Sequence, residues 1–150
     1  MPPTVITNEV ATLATFIDSH VEVIFEPLHG ALWQIDGKRL GAYSAVIGAE
    51  HLVPAENIQA CPGIYQARID KAYEVRAQFF GRSCFAVKID SQALVHGEVD
   101  WRRGRANPDL SASPITTLQA LCVALMRRLD LVSSAFDFIV TPDGDWYSWR

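Results

Sequence analysis

Apolar residues recur along the chain with two different periods. In "TNEVATLATFIDSH", Val10, Leu13 and Ile17 fall on one helical face, Thr7 or Asn8 is placed to cap it, and Glu9 suits its first turn. "VEVIFEPL" then reads as a strand interrupted by Pro27. "GALWQIDGKRLGAYSAVI" predicts two strands around Asp36-Gly37, a strong hairpin signal. The stretch "GAEHLVPAENIQACPG", with Pro54 and Pro62, predicts a connection rather than a packed element. "IYQARI", "YEVRAQFF" and "SCFAVKID" alternate with period two and are rich in β-formers. "SQALVHGEVDWRRGRANPDLSAS" shows no period. "SPITTLQALCVALMRRLDL" carries the strongest helical pattern: Ser113 as cap, Pro114 in the first turn, and a stripe of Ile115, Leu118, Cys122, Leu125 and Leu129. "FDFIVTPDGDWYSW" is a strand, a Pro-Asp-Gly turn and the start of another strand. Helices mixed with mostly antiparallel strands predict an α+β fold.

Composition narrows the function classes. A length of 150 residues fits one compact domain with a real core. The net charge of −4 gives no basis for a nucleic-acid partner. No apolar run reaches membrane-spanning length, and "MPPTVITNEV" lacks the layout of a secretory signal, so a cytoplasmic chain without membrane partners is expected. Cys61, Cys84 and Cys122 are scattered, which fits reduced, mostly buried thiols. His20, His29, His51 and His96 are dispersed and predict no zinc site.

The charged residues of the central strands raise the first chemical question. A three-residue loop from Gly81 to Ser83 pairs Val75 with Ile89, Ala77 with Val87 and Phe79 with Phe85, gathering the apolar side chains on one face. That register sets Arg76 opposite Lys88 and Glu74 opposite Asp90, like charges whose repulsion an anion or metal would relieve. A solvated face with diagonal ion pairs is the plainer reading. "DWRRGR" adds Arg102, Arg103 and Arg105, whose forked donors suit phosphate, unless they form a simple basic loop. Asp137, between Phe136 and Phe138, either faces solvent or offers a hard oxygen donor to Mg2+. Neither a P-loop nor a GxGxxG motif is present.

Taken in order, "PPTVITN", "VIFEPLHG", "GIYQARIDKAYEVRAQFFG", "CFAVKIDSQ", "DWRR" and "LDLVSSAFDFIVTPDGDWY" resemble the ATP-grasp ligases, in particular the microviridin-type (graspetide) maturases of ribosomal peptides. The resemblance implies two ATP-grasp lobes, residues 1–65 as the small, lid-like one and 66–150 as the C-terminal one. It implies ATP and Mg2+ as cofactors, and a precursor peptide or protein as substrate. A carboxylate is phosphorylated to an acyl-phosphate, which a hydroxyl or amine then displaces to form an ester or amide. By this resemblance Gln66, Ala67, Arg68 and Ile69 form the inter-lobe linker at adenine. Lys71 and Lys88 join them as nucleotide-binding residues, Arg76 and Arg102 contact phosphate or acyl-phosphate, and Asp137 binds Mg2+.

The sequence also departs from the family pattern. Glu26 stands where a phosphate-binding lysine is usual, and Ala67 stands where glutamate is usual in the linker. The family's N-terminal domain would precede residue 1, so a missing domain or partner is expected. The glutamate-x-asparagine strand completing the metal site would follow Arg150. Three readings result: a ligase domain working within a longer or split protein, a truncated nucleotide- or peptide-binding relative impaired in ligation, and an unrelated α+β interaction module.

Overall fold

The computed structural model describes residues 1–29, 32–103, 110–112 and 115–148. The chain divides into two compact units, Pro2–Arg68 and Ile69–Arg150. Both are α+β.

The first unit is built on a four-stranded antiparallel sheet. Its strands are β1 (Thr4–Thr7), β2 (Val23–Pro27), β5 (Ala45–Ile47) and β6 (Gly63–Ala67), in the order β1-β6-β2-β5. Helix α1 (Val10–Asp18) covers one face, burying Leu13 to 1 % exposure against Val23, Tyr65 and Ile58. Val10 and Ile17 pack beside Leu13, as the helical period requires. No side chain caps the helix, but the Thr7 hydroxyl accepts a hydrogen bond from the Glu9 amide at 2.9 Å. The hairpin of β3 (Leu32–Ile35) and β4 (Lys38–Gly41) closes through Asp36 and Gly37, both at positive φ (50° and 75°), as a type I′ turn demands. The segment expected only to connect does pack. Residues Ala55–Gln59 form a short helix, α2, and Ile58 enters the core. One buried apolar anchor outweighed the loop-like composition around it.

The second unit carries a five-stranded antiparallel sheet. Its strands are β7 (Tyr73–Phe80), β8 (Ser83–Ile89), β9 (Leu110–Ala112), β10 (Ser133–Val140) and β11 (Trp146–Ser148), in the order β11-β10-β7-β8-β9. Helix α3 (Thr116–Arg128) packs on one face over Val75, Ala77, Phe79, Phe136, Phe138 and Val140. Phe79 and Phe136 meet edge to face at 5.5 Å. The stripe of α3 is narrower than expected. Ile115, Cys122 and Met126 are buried, whereas Leu125 and Leu129 are 46 % and 58 % exposed. Leu125 lies about 100° around the helix from Met126, and Leu129 lies beyond the helix's last residue. Ser113 and Pro114, expected to start this helix, and Trp149 and Arg150 lie outside the described residues. The Thr141–Asp145 turn, closed by a 3.0 Å bond from the Thr141 amide to the Asp145 carbonyl, joins β10 to β11.

The β7–β8 register differs from expectation. Phe80 pairs with Ser83, so the loop is the two residues Gly81 and Arg82. Gly81 has φ 59° at the first central position, the type II′ arrangement that matches strand twist. Val75 therefore faces Lys88, Ala77 faces Ala86, and Phe79 faces Cys84. The smaller Cys84 and Ala86 lie under α3, while Phe85 is 67 % exposed on the other face. Sorting by hydrophobicity alone chose the wrong face of β8. The two-residue turn sets the register, and that register places the smaller side chains against the core beneath α3.

Candidate functional site

The corrected register dissolves the like-charge face. Arg76 lies opposite Val87 on β8 and opposite Asp137 on β10, and Lys88 projects from the other face of the sheet. Arg76 Nη1 donates to both Asp137 oxygens, at 3.0 and 2.9 Å. The pair is half-open: the arginine side chain is 42 % exposed and the aspartate 16 %. Lys88 instead lies over the Tyr73 ring at 4.2 Å, a cation–π contact.

Lys71–Glu74 and Asp100–Arg102 are further ion pairs among the described residues of this unit. Lys71 Nζ lies 2.6 Å from Glu74 Oε1, with both side chains nearly buried (8 % and 12 % exposed). Lys71 also donates to the Val99 carbonyl at 3.3 Å, tying the loop after β8 to the start of β7. In the tight Asp100–Arg103 turn, Arg102 donates from Nε and Nη2 to the two carboxylate oxygens of Asp100 at 2.8 and 2.6 Å. Asp100 is 4 % exposed. Arg105 lies outside the described residues. Along the face of Arg76 and Asp137 the enclosure is graded. Glu74, Ile89 and Ile139 are buried at one end, and Phe80 and Phe85 are exposed at the other.

The expected linker residues straddle the division of the chain. Gln66, Ala67 and Arg68 end the first unit, and Ile69 begins the second. The Ala67 amide donates to the Pro3 carbonyl at 3.0 Å and the Arg68 amide to the Glu22 carbonyl at 2.9 Å, so both backbone donors are already engaged. Arg68 also pairs with Glu22 at 2.9 Å. Gln66, 2 % exposed, donates from Nε2 to Thr4 Oγ1 at 3.0 Å, while its Oε1 is buried without a hydrogen-bond partner. The Thr4 hydroxyl gives its own proton to the Pro2 carbonyl, which fixes the amide orientation of Gln66. Glu26, 3 % exposed, accepts a 2.8 Å bond from Ser44, itself 1 % exposed. Sequence reasoning missed this Glu26–Ser44 pair. Its only signal was an acid inside an apolar strand.

Asp137 fits a hard cation in donor type. Mg2+ takes one or two protein carboxylates and fills its other positions with water and phosphate oxygens. Among the described residues no group of three or more His, Cys, Asp and Glu side chains converges. No helix of the described residues is long and apolar enough to cross a membrane.

Neither a protein-family model nor a curated protein sequence matches the chain. Its fold, by contrast, is that of the ATP-grasp ligases, and its structural neighbours include proteins solved in complex with precursor peptides. One is a RiPP-associated ATP-grasp ligase from Chryseobacterium gregarium, in complex with ADP and a leader and core peptide. It has TM-score 0.89 and 24 % identity, over 100 % of this chain and 46 % of that one. A second is the macrocyclase MdnC from Microcystis aeruginosa MRC bound to precursor peptide MdnA, with TM-score 0.79 and 25 % identity, over 99 % and 47 %. A third is the ATP-grasp ligase PsnB with a phosphomimetic variant of its minimal precursor, Mg and ADP, with TM-score 0.73 and 20 % identity, over 100 % and 44 %. The chain spans less than half the length of these structures.

Proposed function

We propose that this chain supplies the nucleotide-holding part of an ATP-dependent carboxylate ligase that modifies a precursor peptide. Residues 1–65 serve as the lid-like lobe and 66–150 as the C-terminal lobe, with any further domain or partner contributed from outside them. The observation that carries the reading is the Arg76–Asp137 pair: a forked cation and a hard anionic donor held side by side on adjacent strands of an ATP-grasp fold. A peptide carboxylate attacks the γ-phosphoryl group of ATP, ADP leaves, and the acyl-phosphate then loses phosphate to a hydroxyl or amine. Arg76 and Arg102 would steady the charge spread over the transferring group, the main source of catalysis in phosphoryl transfer. Lys71 and the Gln66–Ile69 segment would hold the nucleotide, whereas Lys88, expected to join them, lies on the other face of the sheet from Arg76 and Asp137 and stands outside that set. Mg2+, held by Asp137, would neutralise phosphate charge and align the transferring group. A cytoplasmic location suits a reaction that consumes ATP.

The test is calorimetric titration of the chain with Mg-ATP, with Arg76→Ala and Asp137→Ala in parallel. The expected result is heat from the parent and at least a tenfold loss of affinity in each variant. Absence of heat from the parent at millimolar nucleotide refutes the proposal.

One observation favours a second reading, a nucleotide- or peptide-binding relative without ligase activity. Glu26 is a buried acid bonded to Ser44 at a position where the family usually carries lysine. ADP release on mixing the chain with ATP and a glutamate- or aspartate-containing precursor peptide separates the two. Nucleotide binding without such release selects the second.

A further inference from the structure

The Arg76–Asp137 pair presents a chemical conflict. A single nitrogen, Arg76 Nη1, engages both oxygens of the carboxylate that the proposed function gives to a metal. The same contact neutralises the guanidinium charge that the proposed function gives to an anion. The two backbones cannot move apart to resolve this, because Arg76 and Asp137 are direct partners in the β7–β10 ladder. Only the side chains can. Asp137 is short and mostly enclosed, whereas Arg76 has a long stem and is 42 % exposed. The arginine is therefore the mobile member. Nearby Lys71–Glu74 shows the contrasting case: nearly buried at both ends and anchored to the Val99 carbonyl, it has no such freedom.

We propose that the Arg76–Asp137 ion pair is the stored form of a joint cation and anion site. In the free chain each side chain serves as the other's counter-ion. When a divalent cation takes the carboxylate, Arg76 swings off it and presents its full charge to phosphate. A cation alone must displace arginine, and an anion alone meets an arginine already neutralised. The two ligands therefore bind cooperatively, and the coupling is reciprocal by thermodynamic linkage. This inference rests on the proposed roles of Asp137 and Arg76, and it adds that the pair itself sets the order and interdependence of binding.

The experiment uses Mn2+ alone as probe, followed by the electron paramagnetic resonance of the free ion, on the parent chain, Arg76→Gln, Arg76→Lys and the double variant Arg76→Gln/Asp137→Asn. Thermal unfolding confirms that each variant is folded. Arg76→Gln is expected to raise Mn2+ affinity about tenfold, the order expected for removing one unit charge a few ångströms away in a partly solvated setting. Arg76→Lys, which keeps the charge on a shorter side chain, falls between Arg76→Gln and the parent. The double variant loses the gain. In EDTA, Asp137→Asn is expected to raise affinity for inorganic pyrophosphate by a similar factor. Mn2+ affinity unchanged within twofold or lowered in Arg76→Gln overturns the proposal, as does a gain that persists in the double variant. If Mg-ATP binds the parent while Arg76→Gln shows no gain, the nucleotide site stands and only the stored pair is refuted. If neither Mn2+ nor Mg-ATP binds any form, both fall together.

Discussion

The two faces of the five-stranded sheet are made by the same strands, yet they obey different rules. On one, Val75, Ala77 and Phe79 from β7 and Phe136 and Phe138 from β10 are closed over by α3. On the other, one residue along each strand, Glu74 and Arg76 sit beside Asp137. The packed face gains from excluding water, roughly 1.5–3 kcal/mol for each large side chain buried. The opposite face keeps charge, and every charge described on it has a partner: Arg76 with Asp137, and Glu74 with Lys71. Period-two alternation lets one strand hold a rigid core and a set of ionic groups at fixed spacing. The cost of moving an ionic group then falls on its side chain and leaves the backbone in place.

The comparison is sharpest where an aromatic is removed. Phe79→Ala, at a fully buried position, is expected to cost about 3–5 kcal/mol by chemical denaturation. A loss below about 1 kcal/mol would mean that α3 does not seal that face. On the ionic face, Glu74→Ala leaves Lys71 nearly buried without its counter-ion and is expected to cost roughly 3 kcal/mol. Arg76→Ala removes the more open pair and is expected to cost about 1 kcal/mol or less, while still reducing Mg-ATP affinity. Equal costs for Glu74→Ala and Arg76→Ala would erase the distinction drawn between a fixed and a mobile pair. The thiols give a pH readout of the packed face. Burial pushes the Cys84 and Cys122 thiols above their usual range, and for Cys122 proximity to Cys84 adds to this. Because the reactive form is the thiolate, both should resist iodoacetamide at pH 8–9 while exposed Cys61 reacts. Stability contributed by these neutral thiols is present below the unfolded-state pKa and is lost as pH rises through the folded one. At the lower end of the scale, Leu125→Gln on the exposed side of α3 is expected to change stability by no more than about 0.5 kcal/mol.

Glu26 shows how burial changes the meaning of a substitution. A lysine there would match the residue expected from the resemblance to ATP-grasp ligases, but it would also place a cation at a 3 % exposed position beside Ser44. Glu26→Lys is therefore expected to lower the melting temperature by several degrees, a change visible by calorimetry whether or not nucleotide is present.

Much of the architecture was legible in the residues. The Val10, Leu13 and Ile17 stripe, the Asp36-Gly37 turn, and α3 with Ile115, Leu118 and Cys122 all follow from local period and turn chemistry. The β7–β8 register was not. Phe85, Val87 and Ile89 are together more apolar than Cys84, Ala86 and Lys88, so hydrophobicity favours the wrong face. What decides is the two-residue turn at Gly81 and Arg82, which fixes the pairing of β7 with β8. Ile58, in a segment that looked like a connection, was hidden for a related reason, since its burial depends on α1 and β6 arriving from elsewhere in the chain.

The sequence by itself determined which residue types are available for chemistry, because a carboxylate within an apolar strand or a run of arginines is visible as residue types. Only the tertiary structure decided their partners. Arg76 and Asp137 are separated by 61 positions along the chain and meet because β10 lies beside β7 in one register. Lys88 was drawn away to Tyr73 by a shift of one position across the hairpin. A carboxylate's function depends on the charge placed within a few ångströms of it, and in a sheet that charge comes from a different strand.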